Sequence, residues 1–155
     1  MHYYELFEGV VNGTYVSVRY DSETNQRLAD FAKELSVPNA LPPGKYHTTI
    51  VYSRRSIPWI LAIPGDDARV EFAGWDLFPS HRKADEQCLV MLLKSDYLQS
   101  RFNLAMDMGA TFDFPVYTPH ITISYDVGDF DTEKLSPPSF ELKMSHEQAE
   151  PLMGY

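Results

Sequence analysis

Residues 47–52 read HTTIVY and residues 120–125 read HITISY. A histidine stands two places before a threonine, inside a β-branched run closed by tyrosine, and this happens twice at an offset of 73 residues. At the same offset Ser22 falls on Ser95, Pro42 on Pro115, Thr49 on Thr122, Ile50 on Ile123 and Tyr52 on Tyr125. A chain that repeats itself in this way has few folds open to it, because equivalent segments adopt equivalent structures and must pack against one another.

Each copy reads strand, helix, loop, strand. TYVSVRY (14–20) alternates and is rich in β-formers, and QCLVMLL (87–93) reads as a more deeply buried strand. A serine follows each and is expected to cap a helix, Ser22 in the first copy and Ser95 in the second, 25 residues before its histidine in both. Leu28, Phe31, Ala32 and Leu35 are spaced along one helical face, with Glu23 and Lys33 placed to suit the helix dipole. Tyr97, Leu98, Phe102, Ala105 and Met108 form the second stripe, and Gly109 is placed to end it. Proline-bearing loops, LPPGKY and FDFPVYTP, lead to the histidine strands. RVEFAGWDLF (69–78) and FELKMS (140–145) add two further strands. The expected class is α+β: two pseudo-symmetric lobes of antiparallel sheet with outer helices. The expected organisation is a single domain over 1–155, with the internal repeat over roughly 13–53 and 86–126.

At 155 residues, 44% of them hydrophobic and 14% aromatic, the chain is sized for one folded domain with a core. Its apolar runs are too short to span a bilayer, and MHYYELFEG lacks the pattern of a secretory signal. Cys88 is the sole cysteine, which fits a reducing cytoplasm. A formal net charge of −9 disfavours long nucleic acid, whose backbone wants a broad basic stripe. A small phosphorylated ligand stays open, since a few local cations and hydroxyls can hold one phosphate. No association beyond a monomer or a weak oligomer is expected.

Strict alternation along a strand places His47 and Thr49 on one face and Thr48, Ile50 and Tyr52 on the other. By the same rule His120, Thr122 and Ser124 share a face opposite Ile121, Ile123 and Tyr125. The apolar face belongs in the core, which frees the His–Thr face to line a cleft. Two imidazoles facing across a cleft suit phosphodiester cleavage: a neutral ring takes the nucleophile's proton and a protonated ring gives one to the departing oxygen. The threonine hydroxyls can donate to the non-bridging phosphate oxygens. This chemistry calls for no metal or other cofactor, and the sequence holds no HExxH-type ligand cluster. His2, His81 and His146 have no repeat partner and read as surface residues.

HTTIVY and HITISY resemble the paired signatures of the two-histidine (2H) phosphoesterases, His-x-Thr/Ser-x-hydrophobic, which occur twice in a bilobal 2H phosphoesterase fold. The longer stretches GTYVSVRYDSETN, KYHTTIVYSRR, EQCLVMLLKSDYLQSRF, GATFDFPVYTPHITISYD and the tail EPL are similar to one branch, the phage anti-CBASS phosphodiesterases. Those enzymes destroy the cyclic di- and trinucleotide messengers with which bacteria trigger abortive defence. The resemblance implies His47, Thr49, His120 and Thr122 as catalytic positions. It implies Tyr15 and Trp75 as aromatics that stack on nucleobases. It also implies a tail that closes over the ligand, with Glu147 or Glu150 as the carboxylate and Tyr155 as the aromatic. Arg54, in YSRR directly after the first motif, is the candidate cation for a phosphate; Arg19 and Arg55 share that option with a solvated surface.

The resulting expectation is a metal-independent phosphodiesterase that opens 3′–5′ bonds of cyclic di- or trinucleotides such as 3′,3′-cGAMP in the host cytoplasm. The rivals are an RNA 2′,3′-cyclic phosphodiesterase or 2′–5′ RNA ligase-like enzyme, for which the acidic chain lacks a basic groove, and a non-catalytic sponge, which would not need an acid–base pair.

Overall fold

The computed structural model describes residues 11–65, 68–80 and 83–153. In chain order the elements are β1 (Val11–Tyr20), α1 (Ser22–Glu34), β2 (His47–Ser53), β3 (Arg69–Pro79), β4 (Gln87–Lys94), α2 (Asp96–Asp107), β5 (His120–Ser124), a 3-10 turn (Thr132–Lys134) and β6 (Leu142–Met153).

Both helices start where a side chain accepts from a free backbone N–H of the first turn. In α2 this is Ser95, which accepts from Leu98 N at 3.1 Å. In α1 it is Asp21, accepting from Thr24 N at 2.8 Å, so Ser22 is the first helical residue and not the cap. A carboxylate at that place adds its charge to the hydrogen bond at the positive end of the helix. The two caps therefore sit one register apart in the repeat. Gly109 follows the end of α2 with φ +98°, a left-handed conformation that glycine takes without strain.

The strands form one six-stranded antiparallel sheet in the order β2-β1-β6-β3-β4-β5. It consists of two three-stranded halves. In one, β1 pairs with β2 and along its length with β6; in the other, β4 pairs with β3 and β5. Among the described residues two ladder pairs, Arg69 with Lys143 and Val70 with Leu142, join β3 to β6. β6 thus does for β1 what β3 does for β4, although β6 lies at the far end of the chain. The terminal strands β2 and β5 then come back into contact with each other, which closes the sheet around a cleft.

The helices reach between the halves. Phe31 of α1 lies on Trp75 of β3, 6.3 Å between centroids, and Thr24 accepts from Lys143 N. After α1 the chain runs along β5, where Ala40 bridges to Ser124. In return α2 touches β2, and Arg101 of α2 pairs with Glu147 of β6. α2 therefore covers the half-sheet of the first repeat, and α1 lies across β6 and β3 where the halves meet, so the lobes share one core. Val16, Val18, Leu28 and Ile50 are in it together with Leu89, Met91, Leu98, Ile121 and Ile123. The core face of the first copy includes a polar pair, Tyr20 and Thr48, whose hydroxyls meet at 2.7 Å. Offset by 73 residues, the same two places hold Leu93 and Ile121.

Candidate active site

His47 and His120 open β2 and β5. In each ring Nδ1 lies on the backbone carbonyl two residues earlier, Lys45 O at 3.0 Å and Thr118 O at 2.8 Å. A carbonyl only accepts, so Nδ1 carries the hydrogen and Nε2 is the atom left for chemistry. Burial holds His47 below the usual histidine range; Arg19 and His120 push it the same way, while the Lys45 carbonyl and Glu150 oppose. Burial also lowers His120, against the Thr118 carbonyl. Each ring is therefore neutral near pH 7 in the unliganded protein, and the two lie within each other's electrostatic reach.

Alternation holds for the first four residues of each motif and then breaks. Val16 pairs with Val51 but Ser17 with Thr49, which leaves Ile50 as an extra residue. Leu89 pairs with Ser124 but Val90 with Thr122, which leaves Ile123 extra in the same place. These twin β-bulges correct the expected facing. Ser124 turns into the core and donates to Pro38 O at 2.7 Å. Tyr52 and Tyr125, expected in the core, are 42% and 41% exposed on the histidine side.

In the first half the cleft face is a ladder of polar rows across three strands. Arg19 stands between His47 and His146, Ser17 between Thr49 and Gln148, and Tyr15 between Tyr52 and Glu150. Tyr15 OH is 2.9 Å from Thr49 Oγ1, and its ring meets Tyr52 edge-on at 6.1 Å. The second half differs. Leu92 lies beside His120 and Val90 beside Thr122, and Phe78 presents an edge to the His120 ring at 5.0 Å. One wall of the cleft can thus hydrogen-bond and carries a cation, while the other is apolar.

The structure brings His47, Thr49, His120, Thr122, Tyr15 and Glu150 to this cleft. Glu150 is exposed, and its charge acts on both His47 and Tyr15. Trp75 does not join them. It pairs with the core residue Met91, packs on Phe31 and Phe72, and donates from Nε1 to Ser136 O at 3.1 Å. Phe78, three residues on and therefore on the opposite face, is the aromatic of β3 that reaches the cleft. Glu147 is likewise withdrawn, because it faces the core beneath α2. Its side chain is fully buried and accepts from Trp59 Nε1 (3.0 Å), Tyr97 OH (2.7 Å) and both Nε and Nη2 of Arg101 (2.7 Å each). Arg54 is given to Asp113 through two hydrogen bonds of 3.1 and 2.9 Å. The nearest cation to His47 along the sheet is Arg19 instead. Tyr155 lies outside the described residues, as do His2 and His81. Among the described residues no three His, Cys, Asp or Glu side chains gather as a metal site, and no helix is long and apolar enough to cross a membrane.

Of the residues missed, Tyr52 and Tyr125 left a trace in the sequence. A tyrosine closing both hexads is a costly choice for a core position when aliphatics would serve. Phe78 left none, since which residue of β3 faces His120 depends on strand order and on the register with β4.

The family description of the anti-CBASS protein Acb1 matches residues 12–154. A relative of that name from Yersinia phage phiR1-RT is 36% identical over 94% of this chain and 92% of its own length. The counterpart from Enterobacteria phage T4 is 37% identical over 79% of this chain and 78% of its own. The crystal structure of E. coli LigT in apo form superposes with a TM-score of 0.50 at 14% identity, covering 88% of this chain and 84% of LigT. That likeness establishes the α+β architecture expected for two-histidine phosphoesterases. By the length of the family match and the identity to its phage members, the chain belongs to the Acb1 anti-CBASS family.

Proposed function

We propose that the protein is a phosphodiesterase that opens 3′–5′ bonds of cyclic di- or trinucleotide defence signals, and that residues 1–155 act as one unit around the cleft between the two repeats. The observation that carries the reading is the matched pair of imidazoles. Both are fixed through Nδ1–H to a carbonyl, which leaves Nε2 without a hydrogen bond among the described residues, and both stand two residues before a threonine.

With the phosphate between the rings, one Nε2 takes the proton of the nucleophile, either the neighbouring ribose 2′-OH or water. The new P–O bond forms as the P–O5′ bond breaks, and the other ring gives its Nε2 proton to O5′. The 2′-OH already lies beside the phosphorus, which favours it as nucleophile. The repeat makes the two rings near-equivalent, so either can serve as the base and the other as the acid. The phosphate's own charge raises the proton affinity of the acid ring on binding. Thr49 and Thr122 donate to the non-bridging oxygens, where charge builds in the transition state. Tyr15 orients the Thr49 hydroxyl and offers an aromatic face to a base, a contact worth about 1–3 kcal/mol. The site of action is the host cytoplasm, where such messengers circulate.

The test is hydrolysis of 3′,3′-cGAMP by His47→Ala and His120→Ala. Each loses at least about 10²-fold in kcat while ligand binding persists. Near-normal turnover by either variant refutes the two-histidine mechanism. Recovery of the intact ring after incubation with the unaltered protein shows a sponge instead. Preferential cleavage of RNA 2′,3′-cyclic ends favours the RNA-processing reading.

A further inference from the structure

Two polar atoms on the cleft face of β1 are buried and lack a partner among the described residues: Ser17 Oγ and Arg19 Nε. Ser17 is 1% exposed, so its hydroxyl has neither water nor protein to bond. Leaving such a group unsatisfied costs stability, and completion by a bound ligand is one way a fold recovers that cost. Arg19 has no ion pair among the described residues, in a chain with nine more negative than positive charges. Both lie one strand further from β5 than the catalytic pair: Arg19 beside His47 and Ser17 beside Thr49. Gln148 and His146 lie one strand further again. A groove of about 710 Å³ opens against this outer ladder, bordered by Arg19, Ser22, Gln26, Gly44, His146 and Gln148.

A group seated on Ser17 and Arg19 is displaced from the phosphate between the histidines by one to two strand spacings, about 5–10 Å. The same atom therefore cannot be served by both sets. The second half-sheet has no such row, since Val90 and Leu92 occupy the equivalent places. Whatever needs a cation and neutral hydrogen-bonders must bind on the first half. A cyclic dinucleotide has one such group besides the bond being cut: its other phosphodiester, with the nucleoside attached.

We propose that Ser17 and Arg19 hold the uncut phosphate of a cyclic dinucleotide, and that the adjoining groove takes the nucleoside attached to it. The assignment rests on the phosphodiesterase reading above. It makes the first half-sheet the ring-recognising wall and leaves the second half to shape His120 through Phe78.

The variants Arg19→Gln, Arg19→Lys and Ser17→Ala test it with 3′,3′-cGAMP. Arg19→Gln raises KM about 10- to 100-fold, the loss of a charge-assisted hydrogen bond, and leaves kcat within about 3-fold. Arg19→Lys recovers part of the loss. Ser17→Ala raises KM several-fold while its melting temperature stays level or rises, because an unsatisfied hydroxyl has been removed. A purely structural role cannot give that combination. Linear ApA, which has a single phosphate, competes equally well against Arg19→Gln and the unaltered protein.

Unchanged KM in Arg19→Gln, an equal loss for ApA, or a fall in kcat with KM unchanged each overturns the subsite. Titration of 3′,3′-cGAMP into His120→Ala, with and without Arg19→Gln, reads the subsite without turnover. If the unaltered protein cuts no cyclic dinucleotide, the phosphodiesterase reading fails while this titration still decides the subsite.

Discussion

Glu147→Ala gives the sharpest test of how this fold is held together. The resemblance allowed this carboxylate to meet a ligand, but the structure surrounds it with protein. Its two oxygens accept four hydrogen bonds, from Trp59, Tyr97 and twice from Arg101. Arg101 also donates to Ile60 O at 2.7 Å and lies over the Trp59 ring at 4.6 Å. Glu147 therefore fastens β6, α2 and the segment after β2 to one another. Removing it leaves the Arg101 guanidinium, 18% exposed, without its counter-charge. Breaking a buried pair in this way costs about 3–5 kcal/mol. For a chain of this size that lowers the melting temperature by on the order of 10 °C. Arg101→Ala destabilises too, and the double variant loses less than the sum of the two, with about 0.5–3 kcal/mol of coupling. Urea unfolding gives the energies, and 3′,3′-cGAMP turnover at low temperature gives the activity of the molecules still folded. Glu147→Ala with an unchanged midpoint and a lost affinity for 3′,3′-cGAMP would refute the reasoning and restore Glu147 as a ligand residue.

Three further outcomes follow from the cleft. Both histidines sit below the ordinary value of about 6.5, chiefly through burial, so the form with one neutral and one protonated ring peaks below that pH in the free protein. The pH profile of kcat/KM should therefore reach its maximum below about 6.5 and fall by pH 8, while that of kcat is displaced upward by the bound phosphate; a kcat/KM maximum above pH 7.5 contradicts the assignment. The stability carried by the two neutral rings follows the same sign: it is complete above about pH 6.5 and is lost as pH falls through their lowered folded-state values, which acid titration of the melting temperature reads. Tyr15→Phe keeps the ring but frees the Thr49 hydroxyl, so kcat should fall about 5- to 10-fold for one neutral hydrogen bond with KM little changed; a rise in KM alone would make Tyr15 only a base platform.

Much of the candidate site was legible in the sequence. His47, Thr49, His120 and Thr122 announce themselves by repetition, and alternation correctly puts each His with its Thr. The helix stripes also hold, because Leu28, Ala32, Leu98 and Ala105 are buried at the expected spacing. Periodicity failed at Tyr52 and Tyr125, where one inserted residue shifts every later side chain to the other face. It failed at Ser22 because Asp21 is an equally good cap one place earlier.

The order of residues alone determined the two copies, their strand–helix–strand content and the four residues of the proposed acid–base centre, since these depend on local spacing. Tertiary structure decided which strand closes each half-sheet, which lobe each helix covers, and that Glu147 and Trp75 serve the core while Ser17, Arg19 and Phe78 line the cleft. Such facts depend on pairings between segments as distant as β1 and β6. No local pattern encodes them, because a side chain's surroundings are set by whichever strand or helix arrives opposite it.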